Sequence, residues 1–179
     1  NKLNEFKKET NKFIISYSEV YSQKAYYIAS VSNSVYMHPE GVLDIRGLAS
    51  NALFFTESLE RLGVQPEIIR HGKFKSAIEP FIRDSMSSEN EYQINEMLHD
   101  IWGNMLKDVS QARGITVATL NTIADELGYL MTGEALKFGL IDGVKYKDEI
   151  YPCLDGIAGG KANLLTVESY NEANKTISF

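Results

Sequence analysis

Lys75 stands among apolar neighbours in the run Arg70-His71-Gly72-Lys73-Phe74-Lys75-Ser76-Ala77-Ile78-Glu79-Pro80-Phe81, and of all the side chains in these 179 residues it has the most chemistry open to it. An amine with the ordinary lysine pKa of about 10.4 acts as a general base near neutrality only if that value falls by roughly three units, about 4 kcal/mol of selective destabilisation of the charged form. Phe74, Ala77, Ile78 and Phe81 could supply a low-dielectric wall, and Arg70 and Lys73 could add like charge that pushes in the same direction. Glu79-Pro80 and Arg83-Asp84 are expected to fix the loop that bears Lys75, whereas an ion pair between Glu79 and Lys75 would act the other way. The same neighbours also suit a lysine whose stem lies along apolar surface while its head stays in water, so local sequence leaves both readings open.

Other reactive side chains are poorly placed for chemistry. His38, His71 and His99 have no ligand-like spacing among themselves or with acidic residues, so no metal is expected, and the glycine pairs lack the spacing of a phosphate-binding loop, so no cofactor is expected. Cys153 is the sole cysteine, which rules out an intrachain disulfide, and its setting in Tyr-Pro-Cys-Leu suits a packed small apolar residue. With 44% hydrophobic and 23% charged residues the composition is that of a folded globular domain. A net charge of −6 argues against broad binding to nucleic acid. No apolar run reaches the ~18–20 residues that span a bilayer.

The longer segment Gly72-Lys73-Phe74-Lys75-Ser76-Ala77-Ile78-Glu79-Pro80-Phe81-Ile82-Arg83 resembles the lysine motif of signal peptide peptidase A, or protease IV, in its long two-domain bacterial form. Tyr21-Ser22-Gln23-Lys24-Ala25-Tyr26-Tyr27-Ile28-Ala29-Ser30 and Pro39-Glu40-Gly41-Val42 follow the pattern of that family's amino-terminal domain, and the resemblance runs to about Tyr170. Met131-Thr132-Gly133-Glu134-Ala135-Leu136-Lys137-Phe138-Gly139-Leu140-Ile141-Asp142-Gly143 is similar to a closing segment common to the wider Clp/crotonase superfamily, and indicates fold more than chemistry. The resemblance implies an α/β fold of repeated β-β-α units, with a parallel sheet packed by helices. It also implies that Lys75 is the general base of a Ser/Lys dyad in a serine endopeptidase degrading cleaved signal peptides and other short apolar peptides. A bacterial inner-membrane protein whose soluble part faces the periplasm is implied as well, assembled as a homo-oligomer, with a tetramer favoured.

In the catalytic half of that family the nucleophile lies in a segment of the form Ala-Ser-Gly-Gly-Tyr. Aligned on the tyrosine, Ser22-Gln23-Lys24-Ala25-Tyr26 puts Gln23 at the nucleophile position and keeps neither glycine. Ser22 is one residue away, a shift that turns a helical side chain by roughly 100 degrees, and helix capping accounts for it. Ser76 suits a turn or cap. The expectation is therefore a divided site, in which this chain carries the base and the serine comes from a second peptidase domain or a neighbouring subunit, so that the fragment alone is inactive. The alternative is a non-catalytic module of the same fold used for oligomerisation or substrate binding. Acyl-CoA chemistry lacks its Gly-Gly oxyanion hole and paired acidic residues here.

The elements that must position these residues alternate strand and helix. A polar helix before Asn11 should lead into a strand at Lys12–Tyr17 and a loop through Glu19 and Tyr21, followed by a helix at Gln23–Ser32 and a strand at Ser34–Met37. Val42–Arg46 is a further strand, Asn51 should cap a helix through Leu62 that stops at Gly63, and Glu67–Arg70 is the strand that delivers Lys75 to a sheet end. Ser88-Glu89-Asn90-Glu91 offers a capping box for a long amphipathic helix ending at Gly114, whose apolar stripe suits a core or a subunit interface. Thr116 and Thr132 can cap helices stopped by Gly128 and Gly139, and Leu140–Val144 is a strand and turn. A charged helix at Lys147–Leu154 then gives way to a flexible Gly156–Gly160. Residues 1–155 are thus expected to form one peptidase-type domain and 156–179 a linker toward a second. The sequence opens at Asn1, without methionine, in a helix leading straight into a strand, and so reads as a fragment; the resemblance implies that an amino-terminal membrane anchor and that second domain are missing from it.

Overall fold

The computed structural model describes residues 2–67 and 76–175. Lys75, His71 and the strand expected at Glu67–Arg70 therefore lie outside the described residues, apart from Glu67 itself, which is in no strand. The elements are α1 (Lys2–Thr10), β1 (Ile15–Tyr21), α2 (Gln23–Ala29), β2 (Ser34–Asp44), α3 (Thr56–Arg61), a 3-10 turn (Ser76–Ile78), α4 (Glu79–Ile82), α5 (Ser88–Arg113), α6 (Val117–Glu126), β3 (Tyr129–Met131), α7 (Thr132–Lys137), β4 (Gly143–Val144), α8 (Lys147–Ala158) and α9 (Val167–Lys175). The class is α/β, as expected from the alternating pattern. Among the described residues one compact unit takes in α1, β1, most of β2 and everything from Met131 onward, and the other takes in Ser22–Val31 and Asp44–Leu130.

In the first unit β1 and β2 pair in parallel, Ile15 opposite Ser34 through Ser18 opposite Met37, and the register then shifts so that Val20 meets Val42 and Tyr21 meets Leu43. The strand thus continues where a loop through Glu19 and Tyr21 was expected. Two expected strands, Ser34–Met37 and Val42–Arg46, are likewise one element interrupted by an irregularity at Pro39, a residue with no ladder donor. Gly41 makes this possible. A Cβ on it would fall 2.5 Å from Met37 Cγ and 2.8 Å from the Glu19 carbonyl, so only glycine lets the two chains come this close.

β4 adds to β2 in parallel, with Tyr36 opposite Gly143. Asp142 pins it from both ends: its carboxylate accepts from Val35 N–H at 2.7 Å and its own N–H donates to the Val35 carbonyl at 2.8 Å. The acidic residue of the closing motif is therefore a fastener of the sheet. Among the described residues the sheet, with β3, has four strands and is mixed. Val35, Met37, Leu43, Ala135, Leu140 and Ile141 form the dry interior of this unit.

In the second unit α5 starts one residue earlier than the capping-box reading placed it. Ser87 is the cap, its Oγ accepting from Asn90 N–H at 3.2 Å, and Gly114 ends the helix in the left-handed conformation at φ +69°. Thr116 caps α6 through Thr119 N–H as expected, and Trp102 on α5 donates its indole N–H to Asn121 on α6 at 3.0 Å. The helix expected from Asn51 begins only at Thr56. The preceding backbone is committed elsewhere: Phe55 N–H donates to the Pro80 carbonyl at 2.6 Å, Thr56 Oγ1 to the Arg83 carbonyl at 2.7 Å, and the Phe55 and Phe81 rings stack 6.1 Å apart.

Two further boundaries differ from expectation. Thr132 is the first residue of α7 rather than its cap, and its hydroxyl donates to the Pro39 carbonyl. α8 runs through Gly156 to Ala158 and turns off at Gly159, φ +69°, because a single interior glycine costs a helix only about 1 kcal/mol, too little to break it. No helix among the described residues is long and apolar enough to cross a membrane.

Candidate active site

The residue at the expected nucleophile position is fixed by the start of α2 and the backbone that follows β2. Ser22 sits at the cap of α2 with φ −65° and ψ 154°, its hydroxyl oxygen accepting from Ala25 N–H at 3.3 Å. Gln23 is the first helical residue. Its carboxamide oxygen accepts from Arg46 N–H at 3.0 Å and from Gly47 N–H at 3.1 Å, while its nitrogen donates to the Gly47 carbonyl at 3.1 Å. One side chain thus satisfies three backbone groups in a turn where Gly47 takes φ +83°. The nitrogen lone pair of a carboxamide is delocalised into its carbonyl, so the group is no nucleophile, and here it holds the turn through three bonds.

Beside it, Asp44 and Arg46 form a two-bond ion pair at 2.8 and 3.0 Å, and the Arg46 guanidinium lies 4.5 Å above the Tyr129 ring. Gln23, Asp44, Gly47 and Leu48 border a hollow of about 360 Å³. A second hollow of about 480 Å³, bordered by Gln23, Tyr27, Leu48, Ile101 and Met105, is mostly apolar.

Lys75 lies outside the described residues, but the chain that follows it is described. Ser76 opens the 3-10 turn, which runs directly into α4 and Glu79. Glu79 is 1% exposed. Ser87 Oγ donates to its Oε1, and Ser87 N–H and Asn90 Nδ2 each donate to Oε2 at 3.1 Å. Burial is the largest influence on this carboxyl and pushes its pKa up; the bonds from Ser87 and Asn90, with Arg83 nearby, outweigh it and hold the group below its ordinary value. Sequence had offered Glu79 as a residue that fixes the Lys75 loop, but gave no sign that Ser87 and Asn90 were its partners.

The histidines have structural roles where they are described. His38 accepts from Glu40 N–H at Nδ1, 3.1 Å, and meets the Tyr146 ring edge-on, while His99 Nδ1 lies 2.8 Å from the Asn95 carbonyl. Among the described residues no three His, Cys, Asp or Glu side chains gather as a metal site. Cys153 faces the Glu149 carbonyl of its own helix at 3.3 Å.

The sequence model of peptidase family S49 matches residues 5–158, which runs from within α1 to the end of α8 and therefore takes in Gln23, Lys75 and Glu79. The chain belongs to peptidase family S49. Its S49 relatives include Protease 4 of Haemophilus influenzae, 35% identical over 176 aligned positions that cover 91% of this chain and 28% of that protein. Protease 4 of Salmonella typhi is 38% identical over 114 positions, covering 64% and 18%. The chloroplastic Serine protease SPPA of Arabidopsis thaliana is 32% identical over 148 positions, covering 82% and 22%. The chain spans less than a third of the length of each of these relatives.

For an S49 chain the Gln23 geometry has a measurable consequence. Gln23→Ala leaves Arg46 N–H, Gly47 N–H and the Gly47 carbonyl without their partner and is expected to cost about 1–3 kcal/mol, read as a lower urea midpoint. Gln23→Glu, which keeps the acceptor and loses the donor, should fall between the two.

Proposed function

We propose that this chain is the lysine-donating half of a Ser/Lys-dyad serine endopeptidase, acting on cleaved signal peptides and other short apolar peptides, with Lys75 as general base and the serine supplied by a second peptidase domain or a neighbouring subunit. The observation that carries the reading is Gln23: the place aligned with the family's nucleophile holds a carboxamide committed to three backbone bonds. Membership of S49 and the Lys75 motif support the chemistry, and the apolar hollow beside Leu48 and Ile101 supports the substrate class.

In this mechanism the serine oxygen attacks the peptide carbonyl carbon while its proton passes to the neutral amine of Lys75. The resulting ammonium gives that proton to the leaving amine as the C–N bond breaks, leaving an acyl-enzyme ester. Lys75, neutral again, takes a proton from water as its oxygen attacks the ester, and returns it to the serine oxygen. The whole protein is proposed to be a homo-oligomer, tetrameric by resemblance, held at the bacterial inner membrane with this part in the periplasm.

The 179-residue chain assayed alone against an apolar reporter peptide should show no hydrolysis above the buffer rate. Turnover that survives purification to homogeneity would place a nucleophile within the chain and overturn the division of the site.

A further inference from the structure

We infer that Glu79 is the positioning residue for Lys75, acting as a buried carboxylate clamp that ties the turn after the lysine to the start of α5. The inference rests on the reading of Lys75 as the base. In the sequence only the three residues of the 3-10 turn Ser76–Ile78 stand between Lys75 and Glu79.

The clamp is built from one end of the longest helix. Ser87 caps α5 by accepting from Asn90 N–H, and the same hydroxyl donates to Glu79 Oε1. Asn90 then returns to Glu79 through its side chain, which closes a ring of bonds among three residues. The positive end of α5 adds to the attraction for a carboxylate held there. The other flank of α4 is secured by Phe55 N–H on the Pro80 carbonyl, Thr56 on the Arg83 carbonyl and the Phe55–Phe81 stack.

Stability alone gives little reason for this arrangement. A charge at 1% exposure is expensive to bury, and well-packed apolar side chains commonly stabilise such a place as well or better. What three directed bonds to one carboxylate add is a defined position. A general base needs that, since a misplacement of about 1 Å costs on the order of 100-fold in rate.

The test is steady-state hydrolysis of an apolar peptide by the full-length peptidase, with kcat expressed per folded protomer, the folded fraction being read from the unfolding curve of the same preparation, so that a reduced folded fraction does not count. Glu79→Gln, which cannot accept from every donor, is expected to lower kcat per folded protomer about tenfold, with KM within about twofold. Asn90→Ala, which removes one donor at little cost to folding, should lower it about threefold and carries the test if Glu79→Gln does not fold. A wild-type kcat per folded protomer in the variants overturns the positioning role. Lys75→Ala assayed in parallel separates the two claims: an inactive Lys75→Ala beside a fully active Glu79→Gln removes only this inference, whereas an active Lys75→Ala removes the base reading and this inference with it.

Discussion

Lys75→Ala in the full-length peptidase is expected to lower kcat for peptide hydrolysis by about 10²–10⁴-fold while thermal unfolding and assembly stay as in the wild type. The size follows from removing the group that, in the proposed mechanism, takes the proton of the attacking oxygen in both halves of the reaction, first from the serine and then from water. Lys75→Arg should fare no better, because a guanidinium keeps its proton at any pH the protein survives. The pH profile carries the same signature. The base must be neutral to act, so kcat/KM rises with pH as the ammonium loses its proton and levels off above that point. A steady kinetic assay across pH, with melting curves on the same preparations, checks both statements.

Glu79→Ala is expected to give the largest loss of stability of any single change near the site, about 3–5 kcal/mol. It strands the Ser87 hydroxyl, the Ser87 N–H and the Asn90 amide at the buried start of α5. For a chain of this size that corresponds to a fall in Tm of roughly 6–20 °C. The dependence on pH has a definite sign. The folded-state pKa of Glu79 lies below its ordinary value of 4.5, so its contribution is fully present above that value and is lost as pH falls through the lower folded pKa. The wild type should therefore lose stability on acidification, and Glu79→Gln, with nothing to protonate there, should show a flatter acid limb by calorimetry.

Most of the architecture could be read from local signals that tertiary packing did not override. α6 followed from Thr116 and its apolar spacing, and α5 followed from its stripe and Gly114, because caps and helical periodicity depend on residues close in sequence. The boundaries that moved depend on distant partners. β2 runs through Pro39 because Gly41 lets Met37 and Glu19 close over it, and α3 starts late because Pro80 and Arg83, more than twenty residues on, hold Phe55 and Thr56. Ser87 rather than Ser88 caps α5 for the same kind of reason: its hydroxyl serves Glu79 as well as the helix.

The site was legible in its residue types and not in its bonds. Gln23 was recognisable as a departure from a nucleophile by alignment on Tyr26, but its three bonds to Arg46 and Gly47 arise from a turn on another element. Glu79 could be suspected of fixing the lysine loop. The Ser87–Asn90 partnership could not, since nothing in the spacing of small polar residues distinguishes a clamp from an ordinary cap.

The central claim is that the base lies in this chain and the nucleophile outside it. Labelling the full-length protein with a serine-directed acylating probe, followed by mass-spectrometric mapping of the adduct, tests it most directly. The account predicts a single modified serine beyond residues 1–179, whose labelling collapses in Lys75→Ala. An adduct on Ser22 or Ser76, or labelling that proceeds unchanged without Lys75, would contradict it.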